Sequence, residues 1–237
     1  MSNKKAFINY AHRGASEYAP ENTFLSFYLG LNMGANGIET DVQLTKDNIP
    51  VLFHDDTLER VTGEKGTISD YTLLELKKFW VKKGNLRDKI VTLEDFLIHF
   101  KDMDITFAIE LKGDNTAKVT ADLIRKYSVM EKTVVTSFKY KELIDLKTYA
   151  PEFTAGYLAI GIEDSVLLSM KKDGIEEFCP EAHFITGELC KKWHDLGFNV
   201  RAWGVYNEEL MKSAYIAGVD GMTVNFPDKL TALLNKG

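Results

Sequence analysis

The sequence predicts a (β/α)8 TIM barrel with a small insertion after the second strand, and three observations carry that prediction. Short β-rich runs alternate with amphipathic stretches along the whole chain, the pattern of a parallel sheet with crossover helices. Eight runs and eight stretches can be counted. They fit into 237 residues, just under the roughly 250 typical of such a barrel.

The strand runs fall at 6–11, at 37–42 with a continuation at 51–54, and at 105–111, 133–137, 154–159, 176–178, 199–204 and 221–224. The sixth is the weakest. Helical patterns lie between them at 22–33, 93–100, 117–127, 140–149, 162–172, 187–196, 207–217 and 227–235. The segment 57–89 breaks the rhythm: it is charged, carries Trp80 and holds a short helical pattern from Asp70 to Lys77. It reads as an insertion above the barrel mouth. No linker or low-complexity stretch divides the chain, so residues 1–237 are expected to form a single domain.

Composition agrees with a globular domain. Hydrophobic residues make up 45% and charged residues 27%, which excludes disordered, collagenous and coiled-coil classes. Folding of a chain this size hides about 70% of its surface, so no staples are needed. Against 35 Asp and Glu stand 29 Lys and Arg, a net charge of −6, and no basic block exceeds a Lys-Lys pair. Duplex nucleic acid is therefore an unfavourable partner. Cys179 and Cys190 are the only cysteines and form no CxxC, which fits a reducing compartment. After Met1-Ser2-Asn3-Lys4-Lys5 the apolar run Ala6-Phe7-Ile8 is too short for a signal peptide. No apolar run approaches the roughly 20 residues of a membrane span. The expectation is a cytoplasmic protein without a membrane anchor.

Active sites of such barrels lie at the carboxyl ends of the strands. The first run ends in His12-Arg13-Gly14, the second holds Glu39 and Asp41, its continuation ends in His54-Asp55-Asp56, and the third ends in Glu110-Leu111-Lys112. Glu39 and Asp41 are two apart, so in a strand they project to one face. Glu110 brings a third carboxylate from the next run. Three converging carboxylates suit a hard divalent cation, Mg²⁺ or Ca²⁺, with Mn²⁺ a third option. An ion-pair network with Arg13 and Lys112 is the competing reading. His12 and His54 supply near-neutral imidazoles of the kind that carry protons. A metal that neutralises phosphoryl charge, a base and an acid are what hydrolysis of a phosphodiester needs. Arg13 and Lys112 would complete a charge clamp on the phosphate. His99, His194 and the two cysteines read as structural.

At these residues the chain resembles the glycerophosphodiester phosphodiesterase family. His12-Arg13-Gly14-Ala15 followed by Pro20-Glu21-Asn22-Thr23 is similar to the family's opening signature, and the stretch from Gly37 to Asp47 to its second. The stretch from Val51 to Gly63 carries the third, and Val91-Thr92-Leu93-Glu94-Asp95, Glu110-Leu111-Lys112, Ser137-Phe138, Val200-Arg201-Ala202-Trp203 and Gly218-Val219-Asp220-Gly221 extend the match. The resemblance implies a metal-dependent enzyme that cleaves a small glycerophosphodiester to sn-glycerol 3-phosphate and an alcohol. It makes His12 and His54 the acid/base pair and Glu39, Asp41 and Glu110 the ligands of one divalent cation. It places Arg13 and Lys112 on the phosphate and Trp203 against the glycerol. Gly204, Tyr206 and Val224 depart from the family's usual residues and bear on head-group preference rather than reaction class. A lysophospholipase D-like activity and a non-catalytic phosphoester-binding barrel are the alternatives. Head group, the ion itself and oligomeric state are not encoded legibly.

Overall fold

The computed structural model describes residues 6–161 and 163–236. The amino-terminal pentapeptide and the expected helix start at Ile162 lie outside the described residues. The elements run β1 (Ile8–His12), α1 (Phe24–Asn32), β2 (Gly37–Leu44), β3 (Pro50–Leu52), α2 (Glu59–Thr62), α3 (Leu73–Leu76), β4 (Val81–Lys83) and β5 (Leu86–Asp88). They continue with α4 (Leu93–Phe100), β6 (Thr106–Leu111), α5 (Ala117–Lys126), β7 (Thr133–Ser137), α6 (Tyr140–Tyr149), β8 (Ala155–Ala159) and α7 (Asp164–Lys172). The chain ends with β9 (Glu177–Pro180), α8 (Gly187–Asp195), β10 (Asn199–Val205), α9 (Glu208–Ala217), β11 (Gly221–Val224) and α10 (Pro227–Leu234).

Strands β1, β2 and β6 to β11 pair in parallel in sequence order, and the pairing of β1 with both β2 and β11 closes the sheet. This is a (β/α)8 barrel, as expected. The outer layer is held by apolar packing of helices on strands: Phe27, Phe96, Phe100 and Phe107 form edge-to-face and tilted contacts and are fully buried. Burying one such ring contributes about 1.5–3 kcal/mol. Helix starts are set by capping side chains, Thr23 on Ser26, Thr92 on Asp95, Thr186 on Leu189 and Asn207 on Leu210.

One expectation changes. The run at 51–54 does not continue the second strand. The chain turns at Thr45–Ile49, where Asn48 takes a left-handed φ of 60°, and β3 returns antiparallel on β2, pairing Val42 with Leu52. The insertion then builds α2, α3 and the β4–β5 hairpin around its own apolar cluster of Val51, Phe53, Leu58, Val61, Ile68, Leu76, Val81 and Ile90. Its position follows from its attachment: β3 brings the chain back to the level of Asp41 and Val42, near the carboxyl end of β2, and the insertion leaves from there, at the mouth.

Candidate active site

Inward-facing side chains at the strand ends meet in a cavity of about 240 Å³, lined by His12, Arg13, Glu39, His54, Glu110, Phe138, Leu158, Arg201, Trp203, Tyr206 and Asn225 among others. Six of the eight side chains expected from the sequence thus share one space. Asp41 lies fully buried beneath it, and Lys112 opens on an adjoining cavity with Glu110 and Phe138. Backbone pairing explains the convergence. His12 is opposite Glu39 and Asp41 is opposite Glu110, so β1, β2 and β6 present their polar residues in register.

Glu39, Asp41 and Glu110 each offer an oxygen within 4.8 Å of the others. All three are buried. Arg13 reaches them twice, its backbone N–H donating to Glu39 Oε2 at 3.1 Å and its Nε lying 3.3 Å from Asp41 Oδ2. Asn22 donates to Asp41 Oδ2 at 2.9 Å, and Lys112 Nζ is 3.5 Å from Glu110 Oε1. Asp41 Oδ1, although buried, has no hydrogen-bond partner among the described residues. Burial, followed by the charges of Asp41 and Glu110, raises the Glu39 pKa well above the usual carboxylate range. Burial, then Asp41, lifts Glu110 to about 7. Asp41 is held low despite its burial, chiefly by Arg13. The competing ion-pair network is thus incomplete: three buried acids share two cations, and one oxygen is left over. An all-oxygen donor set short of positive charge fits a hard divalent cation.

The imidazoles flank this group. His12 Nδ1 meets Asn225 Oδ1 at 2.5 Å and its Nε2 lies 3.8 Å from Glu39 Oε2. Burial, then Arg13, lowers the His12 pKa to about 3, which keeps the ring neutral. His54 Nδ1 contacts Asp55 Oδ1 at 2.8 Å and Nε2 contacts Lys112 Nζ at 3.2 Å. An ammonium only donates, so Nε2 accepts and the ring proton sits on Nδ1. His54 lies just past β3, on a loop that Gln43 grips with two bonds, to the carbonyls of Phe53 and Asp55.

Sequence reasoning missed several supporting residues. Glu21 accepts from Arg13 at 2.9 Å and, through both carboxylate oxygens, from Arg60 at 2.7 and 2.8 Å. Arg60, from the insertion, also grips Asp55. Arg13 and Asn22 both adopt φ of 55°, unusual for non-glycine residues and concentrated at functional sites. Gly14 beside them has φ of 82°, and a Cβ there would come within 2.4 Å of the Ser26 backbone. Glu21, Asn22 and Phe138 stand inside motifs of the resemblance, but only the folded geometry supplies their partners. Trp203 meets Phe138 edge to face at 4.8 Å and uses its indole N–H on the Ala159 carbonyl, leaving the ring as an apolar wall.

The model of the glycerophosphoryl diester phosphodiesterase family matches residues 12–229, nearly the whole chain. The chain belongs to that family. A glycerophosphodiester phosphodiesterase of Caldanaerobacter subterraneus subsp. tengcongensis is 32% identical over 237 residues, covering 96% of this chain and 97% of its own. A phosphodiesterase of Oleispira antarctica, solved in complex with the product sn-glycerol-3-phosphate, has a TM-score of 0.86 at 25% identity, covering 95% of this chain and 96% of that one. A glycerophosphodiester phosphodiesterase of Agrobacterium tumefaciens has a TM-score of 0.85 at 26% identity over 96% and 99% of the two chains. As a member of the family, the protein is an enzyme that hydrolyses glycerophosphodiesters. Members generally depend on a divalent cation, and in this phosphodiesterase the three-carboxylate group is the donor set suited to one.

Proposed function

We propose that this phosphodiesterase releases sn-glycerol 3-phosphate and an alcohol at the barrel mouth, with Glu39, Asp41 and Glu110 holding one divalent cation, Mg²⁺ or Ca²⁺, and His12 and His54 moving the protons. The carrying observation is the buried trio with its unpartnered Asp41 oxygen, flanked by two imidazoles on one cavity. When bound, the cation would neutralise charge on the phosphoryl oxygens. His54 holds its Nδ1 proton toward Asp55 and keeps a lone pair on Nε2, while His12 is fixed through Nδ1 by Asn225. With substrate bound, one ring takes the proton of the attacking nucleophile, and the other enters the step protonated and gives that proton to the leaving oxygen. Arg13 and Lys112 stand on two sides of the carboxylates and reach the phosphate, Arg13 as a fork and Lys112 as a point charge. Trp203 and Phe138 wall the cavity for the glycerol carbons. The product found with the Oleispira antarctica enzyme supports this choice of substrate.

Turnover of glycerophosphocholine tests the reading. EDTA should abolish activity, Mg²⁺ or Ca²⁺ should restore it, and His12→Ala should lower kcat by roughly 10²–10⁴-fold. A rate indifferent to the chelator or to that substitution overturns the assignment.

A further inference from the structure

Ion pairing is unevenly distributed over this chain. Most described Lys and Arg side chains of the barrel layer face an acid, as Lys126 does Glu94, Lys139 does Asp114, Lys192 does Asp164 and Lys229 does Glu208. In the insertion, Lys77, Lys78, Lys82, Lys83, Arg87 and Lys89 stand within thirteen residues that contain one acid, Asp88. Among the described residues, none of the six has an ion-pair partner. Five are exposed. The nearby acids Asp70 and Glu75 cap their own turns at Thr67 and Thr72. Asp88 accepts from the Leu25 and Lys89 backbone N–H groups.

The hairpin gathers what the sequence disperses. Pairing sets Lys82 opposite Arg87 and Lys83 opposite Leu86, so cations stand on both faces of the β4–β5 tip, with Lys82 tied back to the Thr62 carbonyl at 3.0 Å. Apolar groups are interleaved with them: Leu74, Leu86 and Trp80 are all exposed. Cations already hold the insertion's indole, with Lys89 Nζ 3.6 Å and Arg87 Cζ 4.7 Å from the centre of the Trp80 ring. A ring stacked under cations is a poor platform for a nucleobase, whereas exposed leucines beside lysines match the boundary between lipid head groups and acyl chains. The patch is tied to the mouth end of the barrel, through Asp88 to the start of α1 and through Arg60 to Glu21.

We propose that segment 77–89 docks the enzyme on an anionic lipid bilayer surface. Attraction is local, since charges further than roughly 8 Å from the surface are screened at physiological salt, so the chain's net −6 does not cancel it. Docking by cations with interfacial Leu and Trp is reversible peripheral binding, distinct from a membrane span. It also sets the mouth beside membrane phospholipids, whose deacylation yields glycerophosphodiesters. This inference stands independently of the roles proposed for the site residues.

The experiment is co-sedimentation of the full chain with vesicles of phosphatidylcholine alone and of phosphatidylcholine mixed with phosphatidylglycerol. Binding is expected to the mixed vesicles at ~0.05 M NaCl and to be largely lost at ~0.5 M. The triple variant Lys78→Glu, Lys83→Glu, Arg87→Glu should bind at least ~10-fold more weakly while hydrolysing glycerophosphocholine at the wild-type rate, which separates lost docking from lost fold. Trp80→Ala should weaken binding several-fold and leave its salt dependence unchanged. The proposal fails if the wild-type protein ignores the mixed vesicles, binds both kinds equally, is unaffected by the triple charge reversal, or prefers poly(U) to the anionic lipid.

Discussion

Two buried charge clusters lie inside one barrel, and they are built on opposite principles. In the lower one, Arg201 donates from Nε to Glu177 at 2.8 Å, from NH1 to Thr223 at 2.7 Å and from NH2 to Cys179 at 3.4 Å, and Cys179 closes the ring onto Glu177. One cation meets one anion, and every branch of the guanidinium is used. In the upper one, Glu39, Asp41 and Glu110 outnumber the cations beside them, and Asp41 keeps an oxygen without a partner. The lower cluster is complete in the protein alone. The upper cluster is completed only by something brought to it. A buried polar group is thus evidence of structure or of function according to whether its charge and hydrogen bonds close.

Neutralising one member of the upper cluster should separate stability from activity most sharply. Glu110→Gln keeps the shape and removes a charge that two neighbouring carboxylates repel. Without added metal, its Tm should equal or exceed that of the wild-type protein, while turnover falls roughly 10²–10³-fold. Calorimetry in EDTA beside steady-state kinetics with Mg²⁺ would show both effects. A large loss of Tm with activity retained would put Glu110 among the structural residues.

The lower cluster should respond in reverse. Glu177→Gln strands the Arg201 charge in the barrel and should cost about 3–5 kcal/mol of folding free energy. For a chain of this length that lowers Tm by roughly 10 °C. Below the transition, kcat should fall far less than in Glu110→Gln, although Arg201 also borders the active-site cavity. Adding Arg201→Met should restore part of the loss, because a buried methionine needs no counter-charge. A double variant no more stable than the single one would show that the pair is not the unit that matters.

Sequence made the upper cluster legible and left the lower one dark for a physical reason. Glu39 and Asp41 stand two apart in an apolar run, where burial of charge needs a cause, and His12, His54 and Glu110 sit just past other runs. Glu177 stands in the weakest run and Arg201 inside the next one, and their closure depends on pairing between β9 and β10, which neither run announces. The antiparallel return at β3 was equally hidden, since an apolar run does not declare its direction. The cations at 77–89 occur in isolated pairs and singles, and only the hairpin assembles them. Glu21 lay in a motif position without a visible partner until the barrel closed, and Asn225 gains its role only through contact with His12.

Arg60 tests whether the insertion belongs with one cluster or the other. It touches neither the carboxylate trio nor the cavity, yet it grips Glu21, which holds Arg13, and Asp55, which holds His54. Its side chain is 51% exposed, so as an ion pair alone it should contribute at most about 1 kcal/mol to stability. As a positioning residue it should matter more, because outer partners that orient acting groups typically cost 10–100-fold when removed. Arg60→Ala is therefore expected to lower kcat roughly 10-fold with a small change in KM and in Tm. Arg60→Lys should recover only part of that loss, since a single ammonium cannot span two carboxylates as the guanidinium fork does. If kcat were unchanged, or fell only in step with thermal unfolding, the insertion would be a passive neighbour of the site and His54 would be oriented by Asp55, Gln43 and Lys112 without help from Arg60.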